Sequence, residues 1–266
     1  MVGRPRGDLL TEVVDPASDR PVFRQIADHL RGLISSGQLA PGEALPSESQ
    51  LVGHYGVTRT TARVAVAVLK GEGLVVSEHG KGSYVRPRPQ VRRLGSDRFA
   101  RRHREAGKAA FVAEVESAGS KPTVDQITVT EERPPAGVAR RLGLTGRAKT
   151  VVRRRRYLID GQPVELATSY IPAALGRGTA IAEPNSGPGG IYARLEEQGH
   201  RLDRFAEEVR ARMPLPEEAQ ALRLPSGVPV FQLVRTAYDT DGEAVEVCDT
   251  VMSSDVYQLD YELPAR

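Results

Sequence analysis

Tryptophan is absent from these 266 residues, and cysteine occurs once. With Cys248 alone, no intramolecular disulfide can form and no cysteine-based zinc site can be built. Five Phe and eight Tyr are too few to favour the ring platforms on which single-stranded nucleic acid stacks. No stretch approaches the roughly 18 consecutive apolar residues of a membrane span. The first twenty residues have no apolar core of signal-peptide type, so the expected location is cytoplasmic. Catalytic signatures are equally scarce. Cys248 has no histidine near it in sequence, and four of the five histidines (His29, His54, His79 and His103) fall in the first 103 residues. The glycines of GKGSY lack phosphate-loop spacing, and no dinucleotide fingerprint occurs. The chain is expected to be no enzyme and to carry neither a metal nor a cofactor.

What is present is an ordinary globular composition, 39% hydrophobic and 27% charged, long enough for two medium domains. The net charge of +3 hides an asymmetry. Residues 1–104 hold 17 Lys and Arg against 10 Asp and Glu, whereas residues 105–266 hold 20 against 24. A basic front and a mildly acidic back indicate two modules with different partners.

Residues 1–20 read as a flexible arm. Phe23, Ile26, Leu30, Leu33 and Ile34 then recur at helical spacing up to Gly37. Ser47 is an N-cap candidate for a short helix ending near Tyr55. After Gly56, Thr58 opens a third helix whose core stripe is Ala62, Ala65, Val66 and Leu69. Two short β-runs, Leu74–Ser77 and Ser83–Val85, flank a glycine-bearing tip at residues 79–82. Residues 21–86 thus form one domain, and 87–96, with two prolines, a linker. Residues 97–266 form the second, an α+β domain with an antiparallel sheet. Its expected strands are Ile127–Thr130, Val151–Ile159, Val164–Ile171, Val230–Tyr238 and Glu243–Val251. Hairpin turns fall at Asp160-Gly161 and Asp241-Gly242. Helices are expected over Phe99–Ala118, Ile191–Gln198 and Glu217–Ala221. Matching Leu-x-Leu contexts before the two hairpins hint at a duplicated sheet.

Two helices joined at a glycine make a helix-turn-helix, whose second helix presents its N-terminal residues to base edges in the major groove. Here those are Thr58, Arg59, Thr60 and Thr61, with Arg63 one turn on. Arg59 can bond guanine O6 and N7 bidentately, and the threonines can hold phosphates. Taken alone, Thr58 could equally be only an N-cap and the arginines a solvated face. The wider sequence decides the expectation. Leu45-Pro-Ser-Glu48, Tyr55–Arg63, Glu72-Gly-Leu-Val75 and His79–Val85, in this order and spacing, resemble the winged helix-turn-helix of GntR-family bacterial transcription regulators. The resemblance implies DNA-contacting roles for Thr58, Arg59, Thr60, Thr61, Arg63, His79 and Gly80. Ser49 stands where many members have a DNA-contacting arginine, so that contact is lost or moved.

The second half resembles the UTRA effector-binding domain of the HutC subfamily, with its chorismate-lyase-like fold. The carrying residues are Arg154–Arg156, Asp160–Val164, Ser169–Pro172, Ile191–Leu195, Leu222–Leu224 and Asp241–Glu246. In relatives that sense phosphorylated sugars, an Arg-x-Arg pair holds the phosphate. This chain has four arginines, Arg153–Arg156, on one strand. Alternation puts Arg154 and Arg156 on one face and Arg153 and Arg155 on the other. The resemblance points to Arg154 and Arg156 as the anion clamp. An extra residue between Arg156 and Pro163 leaves Arg153 with Arg155 open as the pair. Pairing with acids such as Glu165, or simple solvation, also stays open. The glycine-rich approach to Ile191 brings in Gly190 and Tyr192, and Arg98, Glu246 and Tyr257 complete the effector candidates. Ala167 replaces a glutamate that binds sugar hydroxyls in the sugar-phosphate sensors, which argues against an amino-sugar phosphate.

The expected protein is a homodimeric repressor on a double-stranded, near-palindromic operator, released by a small phosphorylated or carboxylated effector. A ligand-independent repressor of plasmid or phage type is the alternative.

Overall fold

The computed structural model describes residues 9–78, 82–86, 91–94, 102 and 105–262, with side chains omitted at 78 and 92–94. The chain divides into two compact units, residues 1–88 with 225–228, and residues 89–224 with 229–266.

In the first unit, helices α1 (Val22–Ser35), α2 (Glu48–Tyr55) and α3 (Arg59–Gly71) enclose one core. The apolar stripes are the expected ones. Ile26, Leu30 and Leu33 of α1 bury against Leu51 of α2 and against Ala62, Ala65, Val66 and Leu69 of α3. Each leucine or isoleucine so buried stabilises the fold by about 1.5–3 kcal/mol. Ser47 caps α2 in a reciprocal capping box with Gln50. Gly56 ends α2 in the left-handed region at φ 65°, which turns the chain directly into α3. Strands β1 (Val75–Glu78) and β2 (Gly82–Val85) pair antiparallel. The hairpin tip, 79–81, lies outside the described residues.

The arm expectation needs correction over its described part. Leu10 is buried in this core, and Leu9 and Val14 pack against it. The Asp15 amide donates to Gln25 Oε1 at 2.8 Å, and the imidazole of His54 meets the carbonyl of Glu12 at 2.8 Å. Two adjacent leucines supply apolar area that makes ordering this segment worthwhile.

The second unit is built on a six-stranded antiparallel sheet of order β4-β5-β6-β9-β8-β7. The strands are β4 (Pro122–Glu132), β5 (Thr150–Ile159), β6 (Gln162–Pro172), β7 (Leu202–Arg212), β8 (Val230–Asp239) and β9 (Ala244–Ser253). Strand β7 was not expected, because the apolar residues of LDRFAEEVRAR follow neither strict alternation nor a continuous run. It is an edge strand with most side chains exposed, so it needs no apolar alternation. The expected linker contains β3 (Val91–Leu94), which pairs in parallel with β10 (Tyr257–Asp260). The remaining helices are α4 (Ala110–Ser117), α5 (Ala136–Arg141), α6 (Ala173–Gly176), α7 (Gly190–Glu197) and α8 (Pro216–Ala221). Of the helix expected over 99–118, Ala110–Ser117 is formed and residues 102 and 105 are also helical, turn and coil occupy 106–109, and 99–101, 103 and 104 lie outside the described residues.

The hint of duplication becomes explicit here. The run α4-β4-α5-β5-β6 recurs as α7-β7-α8-β8-β9. Counterparts start in step, Ala110 with Gly190, Pro122 with Leu202, Ala136 with Pro216, and Thr150 with Val230. The strand order accordingly reads the same from either edge.

Gly176, at the end of α6, lies so close to strand β5 that an added Cβ would sit 2.7 Å from Val151 Cγ2. Gly176→Ala is therefore expected to destabilise the protein by about 1–3 kcal/mol through overpacking, read as a lower urea midpoint with an unchanged slope.

Candidate functional site

Thr58 N-caps α3, its Oγ1 accepting from the Thr61 amide at 3.2 Å. Thr58, Arg59, Thr60 and Arg63 are exposed and Thr61 is half-buried, so the helix start expected to read DNA presents these side chains outward. Arg63 Nε donates to Glu48 Oε1 at 2.8 Å. His79 and Gly80, expected in the wing, lie outside the described residues, as does Arg98.

The second unit holds a cavity of about 350 Å³ over one face of the sheet. Strand register decides which arginines enter it. Arg153 pairs across β5 and β6 with Ser169, Ser169 with Cys248 on β9, and Cys248 with Arg235 on β8. One step along, Arg155 pairs with Ala167 and Ala167 with Thr250. Residues in these rows line the cavity, together with Tyr157, Glu165 and Glu246. The odd-numbered arginines of β5 therefore face it.

Arg154 and Arg156, carried as the anion clamp, point to the opposite face, and that expectation is corrected. Arg154 forms two bonds to Glu132, at 2.9 and 3.1 Å. Arg156 clamps Asp125 bidentately at 2.8 and 2.7 Å and reaches the Ala221 carbonyl at 3.1 Å. The extra residue noticed between Arg156 and Pro163 appears as a register shift between Tyr157 and Leu158.

The two cavity-facing arginines of β5 have different partners. Arg153, 2% exposed, donates to the carbonyls of Ile181 at 2.6 Å, Pro184 at 3.0 Å and Glu183. It anchors the loop that leads to α7. Burial, with Arg155 alongside, pushes its guanidinium down to about 10, still charged at neutral pH. Arg155 donates to the Ser169 hydroxyl and lies over the Tyr157 ring, 5.8 Å from its centroid. Its Nε is buried without a hydrogen-bond partner.

Gly190 and Tyr192 line the cavity as expected, and so does Glu246. Gly189 and Gly190 both take positive φ, 76° and 71°, a pair of conformations costly for any residue with a Cβ. They turn the loop into α7. The Tyr192 hydroxyl donates to Glu246 and accepts from Arg235 Nε at 3.0 Å. Burial raises the Tyr192 hydroxyl well above its usual range, which keeps it a donor. Tyr257 does not line the cavity. It is 1% exposed in the apolar cluster behind it and donates to Glu165 at 3.0 Å. Arg235, Ser169, Phe111 and Cys248 were not foreseen at the site. The signal for Arg235 was the repeat itself, which sets it in step with Arg155.

Comparison with known proteins now bears on both units. Residues 23–85 match the GntR family of bacterial regulatory proteins, and residues 117–258, more than half of the chain, match the UTRA domain. The HTH-type transcriptional regulator SCO4628 of Streptomyces coelicolor is 33% identical over 252 residues, covering 92% of this chain and 94% of that one. The chain belongs to the GntR family. Its two domains make it a regulator of the HutC type, with a winged helix-turn-helix that binds DNA and a UTRA domain that binds a small-molecule effector. It is a transcription regulator and not an enzyme. The mannosyl-D-glycerate transport/metabolism system repressor MngR of Escherichia coli is 29% identical to this GntR-family chain, covering 90% of it and 95% of the relative. A crystal structure of a GntR-family transcriptional regulator superposes with a TM-score of 0.65 at 30% identity, covering 93% of this chain and 99% of that one. No helix among the described residues is long and apolar enough to cross a membrane.

Bonds from Arg154 and from Thr130 hold the Glu132 carboxyl down at about 2. A depressed carboxyl stabilises the fold above its ordinary range and loses that contribution as pH falls through the folded value. Arg154→Ala should raise the Glu132 pKa toward 4.5, read by NMR titration, and narrow the pH range of the native state on the acid side.

Proposed function

We propose that this regulator is a homodimeric repressor whose two recognition helices occupy successive major grooves of a near-palindromic operator, and that a small anionic effector in the UTRA cavity releases it. The observation that carries the reading is the outward display of Thr58, Arg59 and Thr60 at an N-capped helix start, in a chain that also has a formed cavity with a buried arginine. Arg59 is the base-reading residue, Thr58, Thr60 and Thr61 hold phosphates, and Arg63 leaves Glu48 for a base or phosphate. His79 and Gly80 complete the interface from the wing.

A dimer matches the two-fold symmetry of such operators. The name of MngR as a repressor favours repression. Release follows if the effector prefers the conformation that binds DNA poorly, because a ligand shifts an equilibrium only by its differential affinity for the two states. In the cavity, Arg155 replaces the Arg154–Arg156 pair as the residue that receives the anion. A ligand-independent repressor would have no use for that cavity.

Arg59→Ala is expected to weaken specific operator binding by about 1–3 kcal/mol and relax preference at one base position, measured by fluorescence anisotropy against operator variants. Affinity and preference both unchanged would remove Arg59 from the recognition surface. Arg154→Ala combined with Arg156→Ala should preserve both operator affinity and release by effector, measured in the same titration, because neither side chain enters the cavity.

A further inference from the structure

The internal repeat supplies a reference for how this sheet accommodates a buried arginine. Arg155 faces Ala167 across β5 and β6 just as Arg235 faces Cys248 across β8 and β9. Glu165 and Glu246 stand two residues before those partners and line the cavity. The two arginines are thus equivalent in position, and their surroundings differ.

Arg235 is supplied with carboxylates by the chain. Strand β7 sets Glu207 opposite it, at 3.9 Å, and Glu246 lies 3.7 Å away. On β4 the corresponding place falls in a β-bulge between Asp125 and Thr128. Gln126 takes φ 50° there, and the bulge brings Val124 and Ile127, which regular alternation would put on opposite faces, into the same cavity wall. Ile127 therefore occupies in the first repeat the place that Glu207 occupies in the second. Glu165 meets the Tyr257 hydroxyl at 3.0 Å. Among the described residues no carboxylate pairs with Arg155, whose Nε is buried without a partner.

The wall beside Arg155 is apolar and incompletely covered. Val124 and Ile127 are 36% and 37% exposed. The Phe111 and Tyr157 rings meet at 4.5 Å between centroids on the same side. Three guanidiniums and two carboxylates line the cavity, and Glu207, which meets Arg235 at 3.9 Å, is a third carboxylate beside them. Lys108 at the rim is already paired with Glu116 at 2.6 Å. A phosphate monoester brings a charge of roughly −1.5 to −2, more than this set balances, and a sugar would set hydroxyls against apolar side chains.

We propose that the effector is a monocarboxylate with an apolar body, aromatic or branched aliphatic. Its carboxylate takes toward Arg155 the part that Glu207 and Glu246 take toward Arg235, and its body lies against Val124, Ile127, Phe111 and Tyr157. This rests on the reading of the cavity as the effector site.

Calorimetric titration of the full-length protein tests it with phenylacetate, 4-methylpentanoate, the neutral isostere phenylacetamide, inorganic phosphate and glucose 6-phosphate. The two carboxylates should bind, and the amide, phosphate and sugar phosphate should bind at least tenfold more weakly. Arg155→Gln should abolish carboxylate binding. Ile127→Glu, which restores to β4 the acid present on β7, should fold, pair with Arg155 and block carboxylate binding. Binding of phosphate or glucose 6-phosphate, lost in Arg155→Gln, with the carboxylates silent, would overturn the ligand class and leave the cavity as an anion site. Undiminished carboxylate binding by Ile127→Glu would overturn the placement of the carboxylate. Silence of every anion would overturn this inference together with the effector reading beneath it.

Discussion

The two-residue period of a β-strand governs the chemistry of the second domain. Strand β5 carries four consecutive arginines, and the pleat sends each neighbour to the opposite face. Arg154 and Arg156 go to the face where Glu132 and Asp125 wait, and they become structural ion pairs. Arg153 and Arg155 go to the cavity. A slip of one residue in register would exchange the roles of all four. The arginine at the centre of the three-carbonyl anchor would then stand in an ion pair, and Arg154 and Arg156 would face the cavity in place of Arg153 and Arg155.

That single bit of register is where reading the sequence was weakest. The helices of the first domain were legible because their apolar stripes run over several turns and their caps, Ser47, Gly56 and Thr58, are residue types chosen by geometry. The inner strands were legible beside Asp-Gly turns, β6, β8 and β9 from their apolar residues and β5 from the apolar residues at both ends of its arginine run. Strand β7 left no such trace because edge strands are held by backbone bonds on one side and tolerate polar side chains throughout. The face of an all-arginine run leaves no trace either, since alternation of identical residues carries no phase. Gly190 and Tyr192 were found at the cavity because a glycine-rich helix entry is a local signal, whereas Glu246 was named only for its place near the end of the sheet. Tyr257 was misplaced because a buried tyrosine near a site and one in it look alike in sequence.

Duplication explains why the cavity has the residues it has. A sheet that reads the same from both edges delivers equivalent side chains from its two halves to the centre, where β6 meets β9. Arg155 and Arg235 arrive together, as do Glu165 and Glu246. Perfect symmetry would leave both arginines neutralised by the chain and the cavity a satisfied core. The β-bulge on β4 breaks the symmetry. It converts one half into apolar wall plus an under-bonded guanidinium, while the other half, with Tyr192, Glu246 and Glu207, stays internally balanced. Bulges recur beside binding sites because they re-aim side chains without interrupting a strand.

Such an arrangement suits a sensor on energetic grounds. A buried guanidinium that lacks part of its hydrogen bonding costs the unliganded fold free energy, because desolvation is not fully offset. An anion that completes the set recovers that free energy only in the conformation where Arg155 is held in place. Arg153 does the holding nearby. By binding three consecutive-region carbonyls at Ile181, Glu183 and Pro184, it fixes the loop that carries Gly189 and Gly190 into α7 and so positions Tyr192. A ligand in the cavity, as proposed, would meet this loop as well as Arg155, because Pro184 to Gly187 line that cavity. A ligand that binds one conformational state more tightly stabilises that state by mass action, and the loop is the element of this domain whose position both the arginine strand and the ligand can bias.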